Sequence, residues 1–118
     1  ALDGSASLKL RDGAIRGINL AKSLREAKAA LGACRDEIDG IDRRLVALLN
    51  ERSRVVEKIG AVKANMDMPV YEPKREDAVY ANIMAANEGP IPHESVRRIF
   101  ERIIDEMRTL QRTKMGAK

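Results

Sequence analysis

Apolar residues recur at Leu20, Leu24, Ala27, Leu31, Cys34, Ile38, Ile41, Leu45 and Leu48 in unbroken steps of four and three, and the stripe resumes at Val55, Ile59 and Val62. Such a/d spacing over about six heptads predicts one long helix, from about Asn19 to Asn65, packed lengthwise on another long helix. "MDMPVYEPK" then interrupts the pattern, and Pro73 suits the first turn of a second helix over about 73–87, with Val79, Ile83 and Ala86 on one face. In "NEGPIP", Gly89 is expected to cap that helix and Pro92 to open a third over about 92–113. The third helix carries a broad stripe of Val96, Ile99, Phe100, Ile103, Ile104, Met107 and Leu110. The fold class expected is all-α, with one very long and two shorter helices per chain.

The length of the first helix has a consequence. Its residues span about 70 Å at 1.5 Å per residue, whereas a compact chain of this size is only about 25–30 Å across. The helix must overhang its own fold, and pairing with a second copy of the chain covers it most economically. Residues 1–18, rich in small residues and holding an Asp-Gly turn signal, read as a linker or the end of a preceding segment. The boundaries expected are an N-terminal extension or linker over 1–28 that can enter the first helix, a domain over 29–113, and a frayed tail over 114–118.

Composition narrows the partners. Among 118 residues 44% are hydrophobic, with two Tyr, one Phe and no Trp, so Leu, Ile, Val, Ala and Met must build any core. Charged residues reach 34%, which suits long amphipathic helices. The net charge is +4, but bases and acids are interleaved rather than clustered. That pattern argues against nucleic acid or a membrane surface and fits a small polyanion. Cys34 is the single cysteine and cannot form an internal disulfide, as befits a reducing cytoplasm. No apolar run of about 18 residues and no signal pattern occurs. One His (His93, at a helix start) and one Cys make no metal site. Neither a Gly-rich phosphate loop nor a nucleophile elbow is present.

Several polar residues interrupt the apolar faces. Arg52 falls where the stripe of the first helix is due an apolar residue. It is either a packed stem with its head in solvent or a ligand for an anion. Lys63 lies eleven residues on, close to three turns, and so points the same way about 16 Å along the axis. Gln111 stands where the stripe of the third helix would continue, and Glu72 and Glu76 open the second helix. These groups can converge between helices, as bundle-core sites do; spacing alone equally lets the two glutamates serve only the helix dipole. Arg35 is about 42 Å from Lys63 along the axis. It cannot join Arg52 and Lys63 within one chain, but in an antiparallel pair of long helices it can join the partner's. Arg43-Arg44 and Arg97-Arg98 read as solvated faces, and Cys34, in a seam position, as a small core residue.

Three stretches carry a resemblance: "RDEIDGIDRRLVALLNERSRVVEKIGAVK", "PVYEPKREDAV" and "GPIPHESVRRIFERIIDEMRTLQ". An Arg before "DEIDGID", then "LLNER", "IGxxK", "YEPKRE", and a Phe followed eleven residues later by Gln together resemble the all-helical (AroQ-class) chorismate mutases, over roughly residues 31–112. The resemblance implies an intertwined homodimer with antiparallel long helices. It also implies the pericyclic rearrangement of chorismate to prephenate without cofactor, metal, nucleophile or proton transfer. By position, Arg52 resembles the residue that binds one substrate carboxylate. Arg35 resembles the one that the other subunit supplies to the second. Lys63 resembles the lysine bonded to a carboxylate and the ether oxygen, Gln111 the second donor to that oxygen, and Glu76 the acceptor for the ring hydroxyl. Glu72 stands where many relatives have Asp, and Arg75 matches a supporting arginine. Two departures are Met107, where some relatives place a Ser near the ring carboxylate, and the N-terminal extension. Members of the family occur alone or fused to another enzyme of aromatic amino-acid biosynthesis.

The alternatives are an isochorismate pyruvate-lyase of the same fold, a weakly active regulatory or dimerisation domain of a fused shikimate-pathway enzyme, and a basic coiled-coil interaction protein. Glu76 favours the mutase over the lyase. The coiled coil gives no reason for Lys63, Glu76 and Gln111 to occur together.

Overall fold

The computed structural model describes residues 13–116, with side chains from Asn19 onward. It contains three helices, α1 (Gly13–Asn65), α2 (Pro73–Ala86) and α3 (His93–Lys114), and no strand among the described residues. The bounds of α2 and α3 fall within one residue of those expected. At its N-terminus α1 differs, because Gly13–Ile18, read as linker, are helical. Residues 1–12 and 117–118 of the expected extension and tail lie outside the described residues.

The chain divides into two units, Ala1–Val46 and Ala47–Lys118. In the first, the seam of α1 is open: Leu20, Leu24, Leu31, Ile38, Ile41 and Leu45 are all about half exposed. Cys34, expected in a core, is exposed with them, because nothing among the described residues covers this face. Six large aliphatic side chains on one helix face are more than a monomer ordinarily leaves to water in one strip.

The second unit holds the rest of α1, α2 and α3, with α2 and α3 packed on each other. Its buried residues are Val56, Gly60, Ile104 and Met107, together with Lys63 and Gln111. On α1 the inward face is therefore Val56, Gly60 and Lys63, in steps of four and three. The stripe expected to pack on another long helix, at Leu48, Val55, Ile59 and Val62, stays between 43% and 59% exposed. Each inward residue follows a seam residue by one position, a rotation of about 100° about the axis. The helix thus has two working faces, and half-buried Arg52 stands at the border between them.

Gly60 explains how α3 comes close enough. A Cβ there would meet Gln111 Cγ at 3.2 Å and the Gln111 carbonyl oxygen at 3.4 Å. Only hydrogen fits against α3 without displacement.

The turns bring the polar residues together. Asp67, with φ 55°, ends α1 in the left-handed region. Its N–H reaches the Ala64 carbonyl at 3.5 Å, and the Met68 N–H reaches the Lys63 carbonyl at 2.9 Å, the paired bonds of a Schellman motif. The helix therefore stops before Pro69, not because of it. Glu72 is the N-cap of α2 in extended conformation, Pro73 follows it, and the Glu76 N–H bonds the Glu72 carbonyl at 3.0 Å. At the far end Asn87, rather than the expected Gly89, is the C-cap. Its side chain accepts the Gly89 N–H at 3.1 Å and donates to the Ile91 carbonyl at 2.9 Å, while Gly89 takes φ 82° two residues on.

Candidate active site

A cavity of about 380 Å³ opens among the three helices of the Ala47–Lys118 unit. Val55, Val56, Ile59, Val70, Val79, Ile104 and Met107 form its apolar wall. Set into that wall are Arg52, Lys63, Glu72, Arg75, Glu76 and Gln111, and one further cation, Arg108. Every site residue expected within a single chain therefore lines one cavity. Arg35 does not; it is exposed on the Ala1–Val46 unit.

Lys63 lies at the base of the polar cluster, 6% exposed. An ammonium so buried must be both paired and hydrogen-bonded. It donates to Gln111 Oε1 at 2.9 Å and to the Val70 carbonyl at 3.1 Å, and it pairs with Glu72 Oε2 at 2.6 Å. The three contacts match its three protons. The Schellman turn delivers Val70, and the N-cap position of α2 delivers Glu72. Because Gln111 accepts through Oε1, its amide Nε2 remains as a donor.

Glu76 is held differently. Arg108 Nη2 and Nε donate to its Oε2 at 2.6 and 3.1 Å. Arg108 Nη1 donates to Asp105 at 3.2 Å, and the guanidinium carbon lies 5.2 Å from the centre of the Tyr71 ring. The hydrogen bonding to Glu76 above all, opposed by partial burial and helped by the carboxylates of Glu76 and Asp105, holds the Arg108 pKa above its ordinary value. Arg108 is not among the residues singled out from the sequence. Its spacing carried the signal: Ile104, Arg108 and Gln111 are i, i+4 and i+7 on one face.

Arg52 and Arg75 form no ion pair among the described residues. Burial first, and then the charge of Arg75, hold the Arg52 guanidinium below its ordinary pKa. Two cations that repel each other across an open cavity make a place for an anion. Met107 is buried in the wall, where the Ser53 hydroxyl, bonded to the Leu49 carbonyl at 2.8 Å, lies 3.5 Å from its sulfur. Among the described residues no group of His, Cys, Asp and Glu is arranged to hold a metal ion. No helix there is long and apolar enough to cross a membrane.

Fold and cavity together define an all-helical domain with a cavity between its helices that is lined by more cations than carboxylates. Residues 34–112 match the family described as chorismate mutase type II. A bifunctional chorismate mutase/prephenate dehydratase of Neisseria gonorrhoeae is 41% identical over 78 residues, 66% of this chain and 21% of that protein. A chorismate mutase of Methanocaldococcus jannaschii is 26% identical over 83 residues, 70% of this chain and 84% of that one. Among solved structures, a chorismate mutase from Thermus thermophilus superposes with a TM-score of 0.67 at 37% identity, covering 69% of this chain and 92% of the other. The chain belongs to the chorismate mutase type II family. It spans about a fifth to a quarter of the length of the bifunctional relatives that it matches.

Proposed function

We propose that this chain catalyses the pericyclic rearrangement of chorismate to prephenate, in aromatic amino-acid biosynthesis, as a homodimer with antiparallel α1 helices. The observation that carries the reading is the charge of the cavity wall. Four cations (Arg52, Lys63, Arg75 and Arg108) face two carboxylates (Glu72 and Glu76), which leaves a net +2. Chorismate is a dicarboxylate and complements that charge.

The reaction breaks the ether C–O bond while a C–C bond forms within the same molecule, so no atom enters or leaves. The protein has two tasks. It holds the compact chair-like conformer in which the reacting carbons meet, and it stabilises the negative charge that grows on the ether oxygen. Lys63 Nζ and Gln111 Nε2 are the donors to that oxygen. The bond between them restrains both before substrate arrives, and burial strengthens what they offer. Arg52 takes one carboxylate, and Arg35 of the partner subunit takes the other. Glu76 accepts the ring hydroxyl, with Glu72 and Arg75 beside it.

The exposed seam of α1 supports the dimer, since a second copy is the simplest apolar partner of matching length. The names of the bifunctional relatives support a fusion or complex with another enzyme of the pathway. An exposed free thiol at Cys34 suits a reducing cytoplasm.

The deciding experiment incubates the protein with chorismate and identifies the product by NMR. Prephenate is expected. Pyruvate, released in greater yield from isochorismate, replaces the reading with that of a lyase. A folded dimer that turns over neither compound leaves only the regulatory module.

A further inference from the structure

Arg108 is the one cation of the cavity whose guanidinium is engaged at all three nitrogens. Nε and Nη2 both reach Glu76 Oε2, and Nη1 reaches Asp105. Its side chain is 24% exposed and Glu76 is 20% exposed, so the pair is shielded but not sealed. The contact joins α3 to the first turn of α2.

The way the two groups meet is informative. An Arg–carboxylate pair commonly forms a fork on both oxygens. Here both donors converge on Oε2, and Oε1 takes no hydrogen bond among the described residues. Glutamate has one of the larger side-chain entropies, and an untethered carboxylate samples several rotamers. The clamp removes that freedom without using the second oxygen. With its nitrogens occupied, Arg108 has no free fork for a substrate carboxylate.

We propose that Arg108 is a positioning residue: it clamps Glu76 through Oε2 so that Oε1 meets the ring hydroxyl of the bound substrate. This rests on the assignment of Glu76 as the hydroxyl acceptor in the mutase reading. Arg108 acts only through Glu76, and that distinguishes it from Arg52 and Lys63.

A double-mutant cycle tests this. The dimeric protein is assayed with chorismate as wild type, Arg108→Met, Glu76→Gln and the double variant, with circular dichroism and sedimentation as controls for fold and assembly. Arg108→Met is expected to lower kcat/KM about tenfold, the size of one charge-assisted hydrogen bond lost from the transition state. Adding Arg108→Met to Glu76→Gln is expected to change kcat/KM by less than about twofold, because a clamp with nothing to hold has no effect. Arg108→Lys, which keeps one donor, should fall between wild type and Arg108→Met. If Arg108→Met does not fold, the cycle built on Arg108→Lys reads the same coupling. Losses that multiply in the double variant place Arg108 on the substrate or in general stability and overturn the proposal. So does wild-type kcat/KM in Arg108→Met. Failure of the unsubstituted protein to convert chorismate refutes the mutase reading itself, a result separate from either.

Discussion

Gly60→Ala sets two effects of opposite sign against each other. In an ordinary helix interior the exchange stabilises by about 1 kcal/mol, through lost backbone entropy in the unfolded chain and better helix propensity. Here the new methyl would lie 3.2 Å from Gln111 Cγ, 3.4 Å from the Gln111 carbonyl oxygen and 3.5 Å from Lys114 Cβ. Neither Gln111 atom yields freely. The far end of the side chain is tied to Lys63 at 2.9 Å, and the carbonyl belongs to α3 and accepts the Met115 N–H at 2.9 Å. Overpacking of this kind costs about 1–3 kcal/mol. The net expectation is a loss of about 0–2 kcal/mol, where propensity alone predicts a gain. The catalytic effect should be clearer. A misplacement of 1 Å can cost about a hundredfold, so a few tenths of an ångström at Gln111 should lower kcat/KM severalfold to tenfold. Thermal unfolding followed by circular dichroism, alongside chorismate turnover, measures both. A variant with a raised melting temperature and unchanged kcat/KM would refute the close approach of α3 to α1.

Arg52→Met removes a charge that its surroundings disfavour, so the melting temperature of the unliganded protein should stay level or rise. At the same time kcat/KM should fall roughly a hundred- to a thousandfold; a destabilised variant with normal turnover per folded dimer contradicts the ligand role. Mixed dimers of one Arg35→Ala and one Lys63→Ala subunit should regain about half of wild-type activity, since one of two shared sites is then intact. No recovery in verified heterodimers excludes sharing. Ile38→Glu places a carboxylate on the exposed seam and should convert the proposed dimer to monomer in analytical ultracentrifugation; a dimer of unchanged mass shows that the seam is not its contact.

The three helices were legible because long apolar periods and proline breaks are strong local signals. The start of α1 was less so, since Gly13, Gly17 and the Asp-Gly signals read as breakers, yet the helix begins at Gly13 and runs through Gly17. The stripe of α1 is legible as a seam for another long helix, but its spacing shows nothing of the second face that turns toward α2 and α3. The true inward face of α1 carries Gly60 and Lys63, which a hydrophobic pattern cannot register. Arg52, Lys63, Glu72, Arg75, Glu76 and Gln111 could be picked out by helical spacing and by resemblance to a family. Arg108 shares a face with Ile104 and Gln111 by spacing, but its pairing is not legible, because Glu76 is 32 residues away and only the packing of α3 on α2 joins them.

The salt bridge between Lys63 and Glu72 bears on how an anion comes in. Lys63 is nearly inaccessible, whereas Glu72, at 36% exposure, is the partner free to swing away. A carboxylate arriving at Lys63 therefore replaces a carboxylate. The ammonium has already shed its water during folding, and its charge stays compensated before and after the exchange. What the newcomer must give up is mainly its own hydration, and what the protein releases is a glutamate that regains solvent. Under the proposed function, recognition at this point is a swap of like for like, and selectivity rests on how well the rest of the ligand fills the wall of valines and isoleucines around it.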